Sequence, residues 1–303
     1  MRLFLLPISA RRTLIYCERP PPSPHHTRSY VDRLTTKASE TWARFERAPS
    51  GWKKQLTVYG NAALRRIPFE EWGLKTIPSL SSSRRSKILD GSDAEPPPKI
   101  PVLFPPSFLP AKRVFPTLHT IATSRQPLHR QRLVYSLIGA PLTLPFALVP
   151  IIPNIPGFYL LFRAWSHWRA FSGARHLEFL VENGMVEPVP EPQLDEAYAL
   201  GLKHATPEEV GENVGDISEV MKVVEGMRTD VDEERDTMLI RRWNGVLLAK
   251  RFGLPDMAVE IERAVEQVEN AIAEDRKKES VEGAAGKGAS PADLAGEKKH
   301  ETK

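Results

Sequence analysis

The chain has 303 residues, of which 41% are hydrophobic, and one cysteine, Cys17. A single cysteine excludes a disulfide framework within the chain and a metal site built from thiolates, and it favours a reducing, non-secretory compartment. The formal net charge of +4 hides a division: residues 1–177 carry 26 Lys and Arg against 9 Asp and Glu, whereas residues 178–303 carry 16 against 29. We therefore expect the front part to face an anionic surface, either lipid head groups or RNA, and the back part to face water or a basic partner.

The first nineteen residues have two interpretations. Four arginines against one acid, Glu18, are typical of a mitochondrial targeting segment that is cleaved after import. Leu3–Ile8 and Thr13–Cys17 are β-capable runs separated by Ser9–Arg12, and this pattern predicts a β-hairpin. Both interpretations hold if import uses an end that is not cleaved.

Two amphipathic helices are predicted next, over residues 28–48 and 52–67, because apolar residues recur there at spacings of three or four. Pro68 ends the second helix. Their basic residues fit either a solvated face or contact with anionic lipid. Residues 78–132 are rich in Pro, Ser and basic residues and show no helical period, so we predict a disordered linker.

The most informative segment is Leu133–Phe162, thirty residues without a charge. A run of this length favours membrane insertion over a buried core element. Prolines divide it into Leu133–Val149 and a second helical limb that begins at Gly157, because they are too dense for one continuous helix. The residues of the predicted turn are Pro150, Pro153, Asn154, Pro156 and Gly157.

Both flanks of this uncharged run are basic and free of acids. Basic flanks stay on the side of the membrane where translocation is resisted, so equal flanks favour a hairpin or re-entrant segment with both ends on one face. A single kinked span and a helical core outside the membrane remain alternatives. The residues predicted to anchor the segment at head-group level are Arg132, Arg163, Trp165, Trp168 and Arg169.

The acidic back half is predicted to be helical. Helices are expected from Thr206 to about Met221, from about Asp232 to Phe252, and from Pro255 to Arg276. Apolar residues in the last helix have a near-heptad spacing, which fits either packing within one small bundle or a coiled coil with a partner. Residues 277–303 have the composition of a disordered tail.

The predicted fold is therefore mainly α: a helical membrane-associated protein with a short N-terminal β-hairpin as one alternative, a proline-broken membrane hairpin and a C-terminal helical bundle. The expected regions are a basic N-terminal region at 1–77, the linker at 78–132, the membrane segment with an interfacial helix at 133–184, an acidic helical region at 185–276 and the tail at 277–303.

Motifs for catalysis and cofactor binding are absent from the sequence. It has no glycine-rich phosphate loop and no Gly-x-Ser-x-Gly nucleophile motif, so we expect no enzymatic reaction and no cofactor. His25 and His26 lack a second ligand pair at a recognisable spacing, so no metal site is expected. His167 and His176 lie nine residues apart on the predicted helix and point to different faces. They are either amphipathic interfacial residues or, near a membrane, a proton relay.

Five stretches of the sequence carry a family resemblance: MRLFLLPIS with TLIYCER, WARFERAPSGWKKQLTVYGNAALRRIPFEEWGLKTIP, LPFALVPIIPNIPGFYLLFRAWSHWRAFSGARHLEFL and RWNGVLLAKRFGLPDMAVEIERAVEQV. They resemble the fungal mitochondrial potassium–proton exchange-related family over residues 1–78 and 133–270. The most specific part is Ile-Pro-Asn-Ile-Pro followed by Arg-Ala-Trp-Ser-His-Trp-Arg. The resemblance implies residence in the mitochondrial inner membrane and a role in matrix potassium and volume homeostasis within large complexes. It supplies no catalytic or ion-coordinating residues.

The expected function is that of a membrane-associated component of potassium–proton exchange, a subunit of a larger complex whose partners are anionic lipid of the inner membrane and other membrane proteins. The uncharged run holds no Asp, Glu or Lys, whereas a self-sufficient ion carrier normally has an ionisable or carbonyl-lined site at membrane depth, so we expect the chain to assist transport. The alternative is an inner-membrane scaffold or tether for assembly factors or the mitochondrial ribosome, without ion transport. Nucleic acid is not an expected partner, because the front half has no recognised RNA-binding module.

Overall fold

A computed structural model of the chain describes residues 1–18, 49–91, 99–145, 155–204 and 236–286, together with single positions between 37 and 47. The strands are β1 (Arg2–Pro7), β2 (Thr13–Glu18), β3 (Ile100–Phe104) and β4 (Val186–Pro190). The helices are α1 (Trp52–Arg65), α2 (Phe69–Thr76), α3 (Ser82–Leu89), α4 (Ala111–Thr123), α5 (Gln126–Leu142), α6 (Ile155–Glu182), α7 (Pro192–Lys203), α8 (Arg242–Phe252) and α9 (Pro255–Gly286). The described chain is mostly helical, as predicted, but the helices are arranged around a sheet.

The four strands form one sheet in the order β2-β1-β3-β4. Strand β1 is antiparallel to β2, with Leu5 opposite Ile15, and parallel to β3, which is itself parallel to β4. The loop between β1 and β2 is paired as well, because the backbone N–H of Leu239 donates to the carbonyl of Ile8 at 2.9 Å. The first eighteen residues therefore supply an inner strand of the sheet.

Helices cover both faces of this sheet, and the alternation of side chains along β1 and β2 divides the core into two layers. Phe4 and Tyr16 point to one layer, where α7, α8 and α9 pack, and Leu5 and Ile15 point to the other, where α2, α4 and α6 pack. Strands buried on both faces read as continuous apolar runs, which is what Leu3–Ile8 shows in the sequence.

The predicted N-terminal β-hairpin is confirmed. Leu3, Phe4, Leu5 and Leu6 are fully buried, so these residues belong to the folded core. Cleavage of a targeting segment here would remove β1 from between β2 and β3, so of the two interpretations only an uncleaved targeting segment is compatible with this sheet.

The prediction that residues 78–132 form a disordered linker is wrong for the part of this region that the structure describes. It contains α3, β3, α4 and the start of α5. Pro101 obscures the pattern of β3, because proline cannot donate to a sheet ladder and is more typical of a loop. Strand β4 lies at the sheet edge, where Pro188 and Pro190 are tolerated.

The C-terminal helices differ from their prediction in their bounds. Helix α8 begins at Arg242, about ten residues later than expected, and α9 continues to Gly286, beyond the predicted start of the tail. Gly253 stops α8 with a positive φ of 69°, as a left-handed C-cap does. The near-heptad stripe of α9 packs on the protein's own sheet, with Met257, Ile261 and Val265 fully buried. The predicted helix at 206–221 lies outside the described residues, and of the predicted helix at 28–48 the structure describes only single positions.

One close backbone approach fixes α6 against α2. A Cβ atom at Gly173 of α6 would lie 2.1 Å from the carbonyl oxygen of Leu74, a distance that no side chain can occupy. Gly139, on α5, is a different case, because its added Cβ would meet only the flexible end of Leu160, at 3.2 Å.

We expect Gly173→Ala to lower the free energy of unfolding by about 1–3 kcal/mol, because the methyl group forces α6 away from the α2 backbone. Gly139→Ala is the matched control, and its free energy of unfolding should stay unchanged or rise by up to about 1 kcal/mol, since alanine is the better helix former. Urea unfolding followed by circular dichroism measures both. Equal effects of the two substitutions would contradict the close approach.

Candidate functional site

Helices α5 and α6 form an antiparallel hairpin. At one end, the Gln126 side chain donates to the Glu178 carboxylate at 2.9 Å, and near the other end Gly139 faces Leu160. The structure has two helical limbs, as predicted, but the first spans Gln126–Leu142 instead of the predicted Leu133–Val149. Residues 146–154, which connect the helices, lie outside the described residues. Within the described ranges, no helix has both the length and the apolar character needed to cross a membrane.

Large apolar side chains are exposed to solvent over the half of this hairpin that is nearest the connection. We call this surface the exposed apolar end. Its members are Val134, Tyr135, Leu137, Ile138, Leu142, Leu144, Phe158, Tyr159, Leu161 and Trp168. Contiguous apolar surface of this kind marks an interaction site with a membrane or another protein, because isolated soluble domains rarely expose so much of it.

On the buried face of α6 and near the start of α5, the hairpin is joined to the rest of the fold by a cluster of buried polar side chains, which we call the buried cluster. Helix α2 supplies Glu71 and Lys75, α5 supplies His129, and α6 supplies Ser166 together with Arg163 and His167. The spacing of 163, 166 and 167 places the three α6 residues on one helix face, and the spacing of 71 and 75 does the same on α2.

The centre of the buried cluster is an ion pair between Glu71 and Arg163. The two guanidinium nitrogens Nη1 and Nη2 donate to the two carboxylate oxygens at 3.0 and 3.2 Å, which is a bidentate arrangement. Glu71 is 1% exposed and Arg163 is 9% exposed. Two desolvated charges are tolerated only when each is well paired, so the pair fixes how α6 sits on α2.

The hydrogen bonds around this pair determine where the histidine protons lie. Arg163 Nη2 is 2.9 Å from His167 Nε2, and because a guanidinium only donates, Nε2 must accept. Neutral His167 therefore carries its proton on Nδ1, which lies 3.2 Å from Nδ1 of His129. His129 accepts there and carries its own proton on Nε2, an atom for which the described residues offer no partner.

On the other side of Glu71 the cluster continues through Ser166 to Lys75. The Ser166 hydroxyl donates to Glu71 Oε1 at 2.5 Å and accepts from Lys75 Nζ at 3.0 Å. The Lys75 ammonium also lies 3.1 Å from the centre of the Trp72 ring, and Arg263 of α9 lies 4.3 Å from the same ring. The polar chain thus runs from His129 through Glu71 to Lys75.

Burial controls the protonation of these groups. Desolvation lowers the pKa of His129 and that of His167 to about 4 each, and it outweighs the attraction of Glu71 for the charged forms. Desolvation likewise lowers the pKa of Lys75 to about 7. Burial alone raises the pKa of Glu71, but the hydrogen bond from Ser166 and the charge of Arg163 reverse this, and the pKa is lowered. At neutral pH, Lys75 is accordingly the member of the cluster that can take up or release a proton.

Glu71, His129 and His167 are also residue types that bind metal ions, and one ligand atom from each lies within 4.8 Å of the other two. The surrounding charges oppose a cation there, because Arg163 and Lys75 already lie beside the carboxylate. A metal bound to Nδ1 of His167 would also require the proton to move to Nε2. The Nε2–H group would then face an N–H group of the Arg163 guanidinium, and two donors cannot form a hydrogen bond. The cation that pairs with Glu71 in this cluster is therefore the Arg163 guanidinium.

The sequence-predicted site residues are distributed over this hairpin. Pro150, Pro153 and Asn154 lie outside the described residues, while Pro156 is exposed and Gly157 buried in the first turn of α6.

The predicted head-group anchors have different environments. Arg132 and Trp168 are exposed, Trp165 is half-buried, and Arg169 donates to the backbone carbonyl of Lys75 at 3.3 Å. The prediction for Arg163 is wrong, because its guanidinium is buried against Glu71 and cannot reach a lipid head group. His167 and His176 are both buried, so the prediction that they are interfacial is wrong as well.

Sequence reasoning missed Glu71, Lys75, His129 and Ser166. One signal was available: no acid occurs between Glu95 and Glu178, so a buried arginine in that interval needs a carboxylate from elsewhere in the chain. Glu70 and Glu71 are adjacent acids within the basic front part, and they do pair with Arg125 and Arg163, respectively. No sequence signal distinguished which of the two acids is buried.

We expect Glu71→Gln to lower the free energy of unfolding by about 3–5 kcal/mol, because it leaves the buried Arg163 charge uncompensated. Glu70→Gln is the matched control: its partner Arg125 is partly exposed, and the loss should be about 0–1 kcal/mol. Urea unfolding of the two variants measures both free energies. A comparable loss in both would mean that the buried pair does not hold α6 on α2.

The stability of the protein should fall as pH falls from about 6.5 to about 4. In this window the unfolded chain protonates His129 and His167 while the folded chain does not, so protons favour unfolding, by up to about 1.4 kcal/mol per pH unit for each histidine. His129→Leu should reduce this slope, and the exposed control His119→Leu should keep it. Urea midpoints across the pH range measure the slope, and an unchanged slope in His129→Leu would refute the assignment.

Comparison with known proteins gives the family. A protein of Schizosaccharomyces pombe described as uncharacterized is 27% identical over 202 residues, which cover 66% of this chain and 84% of that protein. A protein of Saccharomyces cerevisiae, also described as uncharacterized, is 28% identical over 169 residues, and the match spans about half the length of each chain, 50% and 52%. No solved structure matches. The profile of one family matches residues 2–181, which is more than half of the chain and includes strands β1 to β3, the buried cluster and nearly all of the α5–α6 hairpin. The chain therefore belongs to the mitochondrial K+-H+ exchange-related family.

Proposed function

We propose that the chain is a membrane-associated component of potassium–proton exchange in the mitochondrial inner membrane, and that it contributes to matrix potassium and volume homeostasis as a subunit of a larger complex. Family membership supports the connection with mitochondrial potassium–proton exchange. The exposed apolar end of the α5–α6 hairpin is the observation that carries the membrane part of the proposal.

The depth of insertion follows from the length of the apolar surface. On α5 it runs from Val134 to Leu142, and on α6 from Phe158 to Trp168. At a rise of about 1.5 Å per residue these stretches are roughly 12–15 Å long, about half of the ~30 Å hydrocarbon core. The described part of the hairpin thus enters one leaflet, with its basic half remaining at the surface.

The free energy of transfer is sufficient for stable attachment. Each large apolar side chain that moves from water into hydrocarbon contributes on the order of 1 kcal/mol or more, and the exposed apolar end offers about ten of them. The hydroxyl of Thr143 adds little to the free-energy cost of insertion, because Thr143 is buried and its hydroxyl donates to the Ala140 carbonyl at 2.7 Å. The buried Glu71–Arg163 pair and the close approach at Gly173 fix α6 on α2, so the hairpin presents its exposed apolar end in a fixed position.

The proposed role is to assist transport and to involve no enzymatic reaction. Residues 133–162 carry no Asp, Glu, Lys or Arg, and the charged groups of the buried cluster lie outside this stretch, where they pair with one another. Potassium ions would therefore need a path through other membrane proteins, and the same apolar end can pack against such partners within the membrane.

We expect the double substitution Leu161→Asp with Phe158→Asp to abolish binding to liposomes, because two carboxylates would enter the hydrocarbon. The matched control is Val259→Asp with Val246→Asp, two exposed apolar residues on α9 and α8; Leu161 and Val259 are each 54% exposed. Flotation of the purified proteins with liposomes measures binding. The same variants, expressed at equal abundance in mitochondria that lack the wild-type chain, should slow swelling in potassium acetate only when the hairpin is changed.

Two outcomes would contradict the proposal in different parts. If the hairpin variant floated with liposomes like the control, membrane insertion through the exposed apolar end would be wrong. If the variant lost liposome binding and potassium acetate swelling stayed normal, the chain would be a scaffold or tether in the membrane without a role in exchange.

A further inference from the structure

A groove on the α5–α6 hairpin joins a basic region to the exposed apolar end. It is open to solvent, has a volume of about 1010 Å³ and runs between the two helices. Arg130 and Arg175 line it, one from each helix, and Val134, Tyr135 and Phe171 supply apolar walls. We call this feature the basic groove.

The basic groove brings the two arginines into one site. Arg130 lines it from α5 and Arg175 from α6, at the end of the hairpin where Gln126 donates to Glu178. Two guanidinium groups that converge on one groove form a binding site for a phosphate, which accepts hydrogen bonds from both.

The charges of these arginines are available for a ligand. No carboxylate among the described residues forms an ion pair with Arg130 or Arg175; the Arg175 guanidinium lies 5.8 Å from the centre of the Phe171 ring, a contact that leaves its hydrogen-bond donors exposed. Glu178, the one acid that lines the groove, has its carboxylate engaged by Gln126 at 2.9 Å. An anion is therefore favoured over a cation in this groove.

The same helix faces continue into the exposed apolar end. Ile138 and Leu142 follow Val134 at successive spacings of four on α5. On α6, Trp168 precedes Phe171 by three residues, and Leu161 precedes Trp168 by seven. From Arg130 to Leu142 the distance along the helix is roughly 18 Å, which matches the roughly 15 Å of one hydrocarbon leaflet plus a head group. The groove thus has the polarity and length of one phospholipid.

We propose that the basic groove binds one anionic phospholipid molecule, with the head-group phosphate between Arg130 and Arg175 and an acyl chain along the apolar stripe. This inference rests on the proposed insertion of the hairpin into a membrane. It adds a head-group preference to that function, because the phosphate contact is made by two defined side chains in addition to the general attraction of a basic surface.

The test compares liposomes of phosphatidylcholine with liposomes that also contain phosphatidylglycerol, in about 1 M salt, where the Debye length is roughly 3 Å and long-range attraction is screened. Wild-type protein should still prefer phosphatidylglycerol. Arg130→Gln with Arg175→Gln should reduce the ratio of the two affinities by about tenfold and leave binding to phosphatidylcholine unchanged. The matched control, Lys112→Gln with Arg113→Gln, removes the same charge from exposed positions on α4 and should keep the preference.

A second measurement identifies the ligand. Native mass spectrometry of detergent-purified protein should show one retained phosphatidylglycerol per wild-type chain and none in the groove variant, and glycerol 3-phosphate should not displace the lipid. Displacement by glycerol 3-phosphate would show that the groove binds a free phosphate ester and would overturn the lipid assignment. Equal wild-type affinity for both liposomes would overturn the groove alone, whereas failure to bind either liposome would overturn the proposed membrane insertion together with it.

Discussion

The bidentate ion pair between Glu71 and Arg163 is the constraint on which the position of the α5–α6 hairpin depends. A buried ion pair of this kind adds little net stability, because the cost of removing both charges from water offsets their attraction. The pair instead determines geometry. Glu71 is 1% exposed and Arg163 is 9% exposed, so each charge needs the other as its partner in place of water. Helix α6 must therefore keep one register on α2, and the absent Cβ of Gly173 allows the two backbones to approach closely enough for the pair to form.

The same burial sets the protonation of the groups around the pair. Desolvation keeps His129 and His167 neutral at physiological pH, so that a single direction of hydrogen bonds, from Arg163 to His167 and from His167 to His129, satisfies most of the cluster. Lys75, at the other end of the polar chain, has a pKa of about 7 and is the group whose charge responds to changes near neutrality. In a member of the mitochondrial K+-H+ exchange-related family, this places a titratable ammonium on α2, where the hairpin packs against the rest of the fold.

The hairpin combines three kinds of surface: buried and paired charges where α6 packs on α2, the two arginines of the basic groove, and the exposed apolar end. A hairpin without a helix that is both long and apolar enough to cross a bilayer can still serve the proposed membrane role, since its apolar surface has the length of one leaflet. The proposed partners in the exchange complex would meet the chain at this end.

Local sequence patterns determined much of this molecule. The apolar runs of β1 and β2, the helical periods of α1, α8 and α9, the stop at Gly253 and the proline-broken uncharged run could all be recognised, because each depends on residues close together in the chain. Only the tertiary structure decided that the proline-rich segments Ile100–Phe104 and Val186–Pro190 are strands, since they become strands by pairing with β1 and with each other. It also decided that Arg163 is buried. Beside an apolar run, an arginine is expected at a membrane surface, but Glu71, a carboxylate 92 residues earlier in the chain, packs against it and makes burial the favourable position. The environment of a desolvated charge depends on what lies opposite it in space, and the sequence around that charge does not contain this information.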